Sequence, residues 1–281
     1  LASEPIDPAL EAEYSLRARH PERDAVYAAM REAGLALRAR HAVGLDLRYG
    51  PGPRMRLDYF GVGPGTPLLV FIHGGYWRAL EKEIFSFLAE PLLAAGISVA
   101  LLGYDLAPAV ALPGIAAEIA AALHWLPGAG LGFDPRRVVL SGHSAGGQLA
   151  AWAALSEGAL PAALGLRGLL GVSGVYDLRP LLRTSIGASV ALTPAQAEAG
   201  SPLLALARRR GELRFPARLV AGARETDGFI GQTMGFAAAL REAGATEAQA
   251  ALVPDATHFT VLNHLFDVPT IAVLRRWLGT G

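Results

Sequence analysis

The sequence predicts an α/β fold: a mostly parallel central sheet with helices on both faces, N-terminal helices and one small cap-like insertion. Three observations carry this expectation. Short, continuously apolar runs such as Leu68–Ile72 read as strands buried on both faces. Those runs alternate with longer segments of helical periodicity, the pattern of strand–helix–strand units in a parallel sheet. One strand-to-helix junction, at residues 140–146, carries a glycine-rich turn around a serine.

The elements follow in order. Residues 8–40 repeat Leu10, Tyr14, Leu16, Val26, Met30 and Leu37 at loose helical spacing, and Pro21 suits the first turn of a second helix. His41–Tyr49 and Met55–Phe60 alternate in polarity around Pro51-Gly52-Pro53, which predicts a hairpin. Leu68–Ile72 is a buried strand, and Lys82–Ala95 a helix closed by Gly96. Ile97–Leu102 is a strand and Ile115–Trp125 a helix. Arg137–Leu140 is a strand and Ala145–Leu155 a helix. Leu169–Val172 and Ala217–Ala221 are strands, Phe229–Glu242 is a helix ended by Gly244, Ala248–Val253 is the last strand and Val268–Leu278 the last helix. Between about Asp177 and Arg214 the alternation lapses, which marks an insertion over the C-terminal edge of the sheet, where sites of such folds lie. No repeat or low-complexity linker divides the 281 residues, so a single domain over 1–281 is expected, with 1–40 as its N-terminal helical segment.

Composition narrows the function. A hydrophobic share of 52% with only 18% charged residues excludes a disordered chain. Acidic and basic residues balance at 25 each, which argues against nucleic acid or an anionic membrane as partner. There is no cysteine, so disulfides, thiolate catalysis and zinc–thiolate sites are excluded. No run approaches the roughly 18 apolar residues of a membrane span. The start, Leu1-Ala2-Ser3-Glu4-Pro5, shows no basic region followed by an apolar run, so no signal peptide is read there and a cytoplasmic location is expected.

The chemistry concentrates in four stretches. Gly142-His143-Ser144-Ala145-Gly146 fits G-x-S-x-G between a strand and an Ala-rich helix, the context that motif requires. A sharp turn there exposes Ser144 as a nucleophile, and the helix start offers the Ala145 N–H to a developing oxyanion. The bland alternative is a glycine-rich turn with an incidental serine. His73-Gly74-Gly75-Tyr76-Trp77 follows the strand Leu68–Ile72, where Gly74 and Gly75 can turn further N–H groups toward the same oxygen. His73 is read as bracing that loop, and Tyr76 and Trp77 as lining the pocket or packing. His258, just after the last strand, is the expected general base. Its neighbour Phe259 is counted with the pocket, while His264 is read as a packing residue. The orienting acid ranks Glu225 first, then Asp227, then Asp177; the losing carboxylates would be helix caps or turn residues.

At this point the sequence resembles the kynurenine formamidase (arylformamidase) branch of the α/β hydrolases, close to the hormone-sensitive-lipase-like esterases. The similarity rests on His73–Trp77, Gly103-Tyr104-Asp105-Leu106-Ala107-Pro108, Gly142–Gly147, Ser173–Leu178 with Ser201-Pro202, and Gly222–Glu225 with Phe229, Gln232 and Thr233. Tyr14-Ser15 and Tyr49-Gly50 also fit. The resemblance implies an α/β-hydrolase fold with Ser144, Glu225 and His258 as triad; animal members usually carry Asp where this chain has Glu225.

The expected function is hydrolysis, through an acyl-enzyme, of small carboxylic esters or N-formyl arylamides, with no metal and no cofactor. The alternatives are a general carboxylesterase or carbamate/amide hydrolase without formamidase activity, acyl transfer to an acceptor other than water, and a non-catalytic ligand-binding protein on the same scaffold. The partner is then a small ester or amide; a homodimer is left open.

Overall fold

Eight strands join in one sheet: β1 (Gly44–Arg48), β2 (Arg56–Phe60), β3 (Leu68–Ile72), β4 (Ser98–Leu102), β5 (Val138–His143), β6 (Leu166–Val172), β7 (Ala217–Gly222) and β8 (Ala248–Val253). Their spatial order is β1-β2-β4-β3-β5-β6-β7-β8. β1 and β2 form the expected antiparallel hairpin, and β2 attaches it antiparallel to β4. From β4 to β8 every pairing is parallel. This computed structural model describes residues 5–41, 44–209 and 213–280. The leader reading at residues 1–4, positions 42–43 of the first predicted strand and positions 210–212 of the insertion lie outside the described residues.

The period of two along each strand divides the core between the two faces of the sheet. Leu68, Val70 and Ile72 of β3 face a cluster completed by the helices Leu112–Trp125, Ala145–Leu155 and Asp227–Glu242. Leu69 and Phe71 face a second cluster with the helices Arg23–His41 and Val268–Leu278. Every residue of β3 is buried, as its unbroken apolar run requires.

The N-terminal helix Arg23–His41 is held by a buried ionic group. Asp58 of β2 is fully buried, accepts from the Arg38 guanidinium and from the Asp46 N–H at 2.8 Å, and forms an ion pair with Lys82 Nζ at 3.1 Å. A carboxylate removed from water persists only with such a full set of partners. The helix also lies close against the next segment, since a Cβ at Gly34 would come within 2.8 Å of the Glu83 carbonyl.

Several boundaries differ from the sequence reading. Lys82–Ala95 is not one α-helix: Lys82–Leu88 is a 3₁₀ segment, and the α-helix is Ala89–Ala94. Pro91 is the cause, because a proline has no N–H to give to the carbonyl four residues back and so must stand in a first turn. The second N-terminal helix starts at Arg23, two residues beyond Pro21, and its last residue is His41, which the sequence had placed at a strand start. Leu112–Trp125 begins three residues earlier than expected, with Pro113 in its first turn. Between β6 and β7 lie a 3₁₀ segment, Arg179–Arg183, and three short helices, Ser185–Ser189, Pro194–Ala199 and Pro202–Arg208, with no strand among the described residues.

Candidate active site

β5 ends at His143 and the helix Ala145–Leu155 begins one residue after Ser144, so Ser144 alone makes the turn. Its φ is +56° and its ψ −121°, a left-handed conformation that a non-glycine residue holds only when its surroundings impose it. The surroundings are close. A Cβ at Gly146 would sit 2.0 Å from the Ile72 carbonyl oxygen, and one at Gly142 would sit 2.2 Å from that of Gly146. Glycine at both positions lets the helix start press against the end of β3. The Ser144 N–H is tied to the Val172 carbonyl of β6 at 2.8 Å.

Glu225 and His258 come from the turns after β7 and β8, which lie side by side. Glu225 Oε2 is 2.7 Å from His258 Nδ1. Its other oxygen, Oε1, accepts from Ser173 Oγ at 2.5 Å and from the Gly222 N–H at 2.6 Å. The other two carboxylates stand elsewhere. Asp227 is the exposed first residue of the helix Asp227–Glu242, and Asp177 pairs with Arg179 at 2.7 Å. Ser144 and His258 line one cavity of about 340 Å³. Among the described residues the Ser144 hydroxyl makes no hydrogen bond to His258.

The His73–Trp77 loop, where the sequence places the oxyanion donors, runs beside the serine. A Cβ at Gly74 would be 3.0 Å from Ser144 Cβ and 2.8 Å from the His143 carbonyl oxygen, so only glycine brings this backbone so near. Gly75 has a φ of +106° and borders the cavity. Ala145 is the first residue of its helix, where an N–H has no partner four residues back. His73 supports the loop through Nδ1, 2.8 Å from the Gly74 carbonyl, and its ring stacks on Tyr104 at 4.3 Å. Burial holds the His73 imidazole down to about 4, so it is neutral at ordinary pH.

Tyr76 and Phe259 line the cavity. Trp77 does not. It is 1% exposed, and its indole N–H donates to Gln148 Oε1 at 3.0 Å, which makes it a core residue with its polar edge satisfied. His264 is exposed at the end of the 3₁₀ turn Val261–His264, not packed as the apolar surroundings in sequence had suggested.

Sequence reading had given no role to the partners that hold these groups. Ser173, with φ +48°, buttresses Glu225; its only signal was membership in the Ser173–Leu178 stretch. The N-terminal segment reaches the site as well. The Tyr14 carbonyl accepts from Tyr76 Oη at 2.7 Å, and the Glu13 carbonyl from Thr226 Oγ1 at 2.8 Å, so one short stretch braces both the His73–Trp77 loop and the turn that carries Glu225. Leu16, Tyr27 and, from the insertion, Ile186 also line the cavity, together with the charged Arg17, Arg23, Asp24 and Arg78. The Gly103–Pro108 stretch is structural: Tyr49 Oη donates to the Gly103 carbonyl at 2.6 Å and Tyr104 Oη to that of His73 at 2.9 Å. Among the described residues no group of three or more His, Asp or Glu could hold a metal ion, and no helix is long and apolar enough to cross a membrane.

A parallel sheet carrying a strained serine between strand and helix, with a buried carboxylate–histidine pair beside it, defines the hydrolase class. Comparison gives the family: a model described as the alpha/beta hydrolase fold matches residues 69–262, and the chain belongs to that family. It is 28% identical over 233 residues to the kynurenine formamidase of Salmo salar, covering 79% of this chain and 77% of that one. A solved structure of a candidate thioesterase from Silicibacter sp. superposes with a TM-score of 0.82 at 30% identity, over 94% of this chain and 98% of the other. A thermophilic carboxylesterase cloned from a metagenomic library gives 0.71 at 21% identity, over 91% and 96%, and shares the fold.

Proposed function

We propose that the chain hydrolyses small carboxylic esters or N-formyl arylamides through an acyl-enzyme on Ser144. The observation that carries this reading is the buried contact of Glu225 Oε2 with His258 Nδ1 at 2.7 Å, in a cavity shared with Ser144. With Nδ1–H donated to the carboxylate, His258 presents a bare Nε2 as base.

His258 Nε2 takes the proton of Ser144 Oγ as that oxygen attacks the substrate carbonyl. The N–H groups of Gly74, Gly75 and Ala145 receive the negative oxygen that results. Glu225 steadies the imidazolium, which then gives its proton to the departing alkoxide or arylamine nitrogen. Water, deprotonated by His258 Nε2, then attacks the acyl-enzyme, and the same imidazolium returns the proton to Ser144 Oγ as the acid leaves. The similarity to kynurenine formamidases favours N-formyl arylamides as the first substrates to try, and the wall formed by Tyr27, Tyr76 and Phe259 suits an aryl group.

The test is kcat/KM on N-formylkynurenine beside p-nitrophenyl acetate, with Ser144→Ala as control. Formamide turnover lost in the variant supports the formamidase reading. Ser144-dependent turnover of the ester alone makes the chain a carboxylesterase. No Ser144-dependent turnover of either leaves the ligand-binding alternative.

A further inference from the structure

His143 precedes the serine, is 1% exposed, and enters no step of the mechanism above. Its Nε2 lies 2.9 Å from the carbonyl oxygen of His258, a residue 115 positions further along the chain. A carbonyl oxygen only accepts, so the proton of His143 sits on Nε2 and Nδ1 is left bare. Burial above all, then the neighbouring His258, keeps the His143 imidazole well below its usual range, which agrees with a neutral ring. The bare Nδ1 has no hydrogen-bond partner among the described residues and faces the oxyanion loop, 3.2 Å from where a Gly74 Cβ would be. The two imidazole rings are 4.7 Å apart and tilted by 43°, and among the described residues no hydrogen bond joins their ring nitrogens.

We infer that His143 is a positioning residue for the reaction: its Nε2–H fixes the backbone of His258 to the residue before Ser144, and thereby sets where the base stands relative to the nucleophile. The inference rests on the reading of Ser144 and His258 as nucleophile and base. Its physical ground is that the base sits on a loop, between β8 and the 3₁₀ turn Val261–His264, whereas Ser144 is locked between a central strand and a buried helix. Glu225 orients the His258 ring but comes from the β7 side of that loop. The His143 bond is a direct tie from that loop to the serine's own strand. A side chain that only filled space would have no reason to spend its one donor there while leaving Nδ1 unpaired in the interior.

The experiment compares the wild type with His143→Leu and His143→Gln, by steady-state kinetics on p-nitrophenyl acetate and by the rate of fluorophosphonate labelling of Ser144. The leucine variant removes the donor; the glutamine variant keeps an N–H of similar reach. The expected result is a fall in kcat and labelling rate of about 10–100-fold for leucine with KM changed less than about twofold, since misplacement by about an ångström carries penalties of that size. Glutamine restores most of that loss. Leucine with near-wild-type kcat, or glutamine as impaired as leucine, overturns the inference. If His143→Leu does not fold, histidine nitrogen NMR of the wild type decides: a His143 ring found with its proton on Nδ1, or charged at neutral pH, also overturns it. A wild type with no Ser144-dependent turnover or labelling is a different failure, that of the underlying reading.

Discussion

Ser173 Oγ lies 2.5 Å from Glu225 Oε1, and this hydroxyl, not a second charged residue, occupies the carboxylate oxygen that His258 leaves free. Ser173 follows directly on β6 and Glu225 stands three residues past the end of β7, so this carboxylate is gripped from the neighbouring strand as well as by its own turn through the Gly222 N–H. A carboxylate with both oxygens committed cannot rotate away from the histidine.

Glu225→Gln should therefore lower kcat by about 10²–10⁴-fold while leaving the fold intact, because an amide can present the wrong tautomer partner to His258. Asp227→Asn should stay within about twofold of the wild type, as an exposed surface change usually does. Parallel kcat measurements check both. Asp227→Asn proving the damaging change would move the acid to the helix start.

Ser173→Ala should act more mildly on rate and more clearly on stability. It leaves Glu225 Oε1 with only the Gly222 N–H, and a lost hydrogen bond to a buried charged group is worth about 1.5–3 kcal/mol. Urea unfolding of the variant should show a lower midpoint at unchanged slope. An unaltered midpoint would mean that water replaces the hydroxyl.

Gly146→Ala should be among the most damaging single methyl additions in the chain. Its Cβ would meet the Ile72 and His73 carbonyl oxygens at 2.0 and 2.6 Å, both backbone atoms that cannot swing aside. Overpacking of this kind costs about 1–3 kcal/mol or more, and the displaced helix would carry Ser144 with it. Thermal unfolding together with kcat should fall; Gly231→Ala, where a Cβ meets nothing within 4 Å, is the matched control.

The pH dependence of stability should carry the signature of His73. Burial depresses its folded value from 6.5 to about 4, while the unfolded chain keeps the ordinary one. Between those values the unfolded state binds the extra proton, so stability is full above the upper value and falls as pH drops toward the lower one, by roughly 3 kcal/mol in all. Urea midpoints over this range should decline less steeply in His73→Asn than in the wild type. Equal slopes would assign the acid sensitivity to other groups, His143 first among them.

The sequence by itself determined the strand set of the parallel sheet, the hairpin at its edge, and the serine turn. Each is a local matter: an apolar run that only a doubly covered strand can bury, glycines at spacings that only one strand-to-helix turn uses. It also supplied the three candidate carboxylates but could not choose among them by contact, since Glu225 and Asp227 are two residues apart in the same turn. The choice depends on how the chain leaves β7: the Glu225 N–H bonds back to the Gly222 carbonyl at 3.2 Å, with Glu225 buried and Asp227 exposed at the start of the next helix. The inward burial of Trp77, the exposure of His264 and the bond from His143 to the His258 carbonyl were likewise decided only in three dimensions. Periodicity and turn chemistry act over a few residues, whereas the Glu225–His258, Trp77–Gln148 and His143–His258 contacts join residues 33, 71 and 115 positions apart, and only the side-by-side order of β3, β5, β6, β7 and β8 in the sheet brings such partners together.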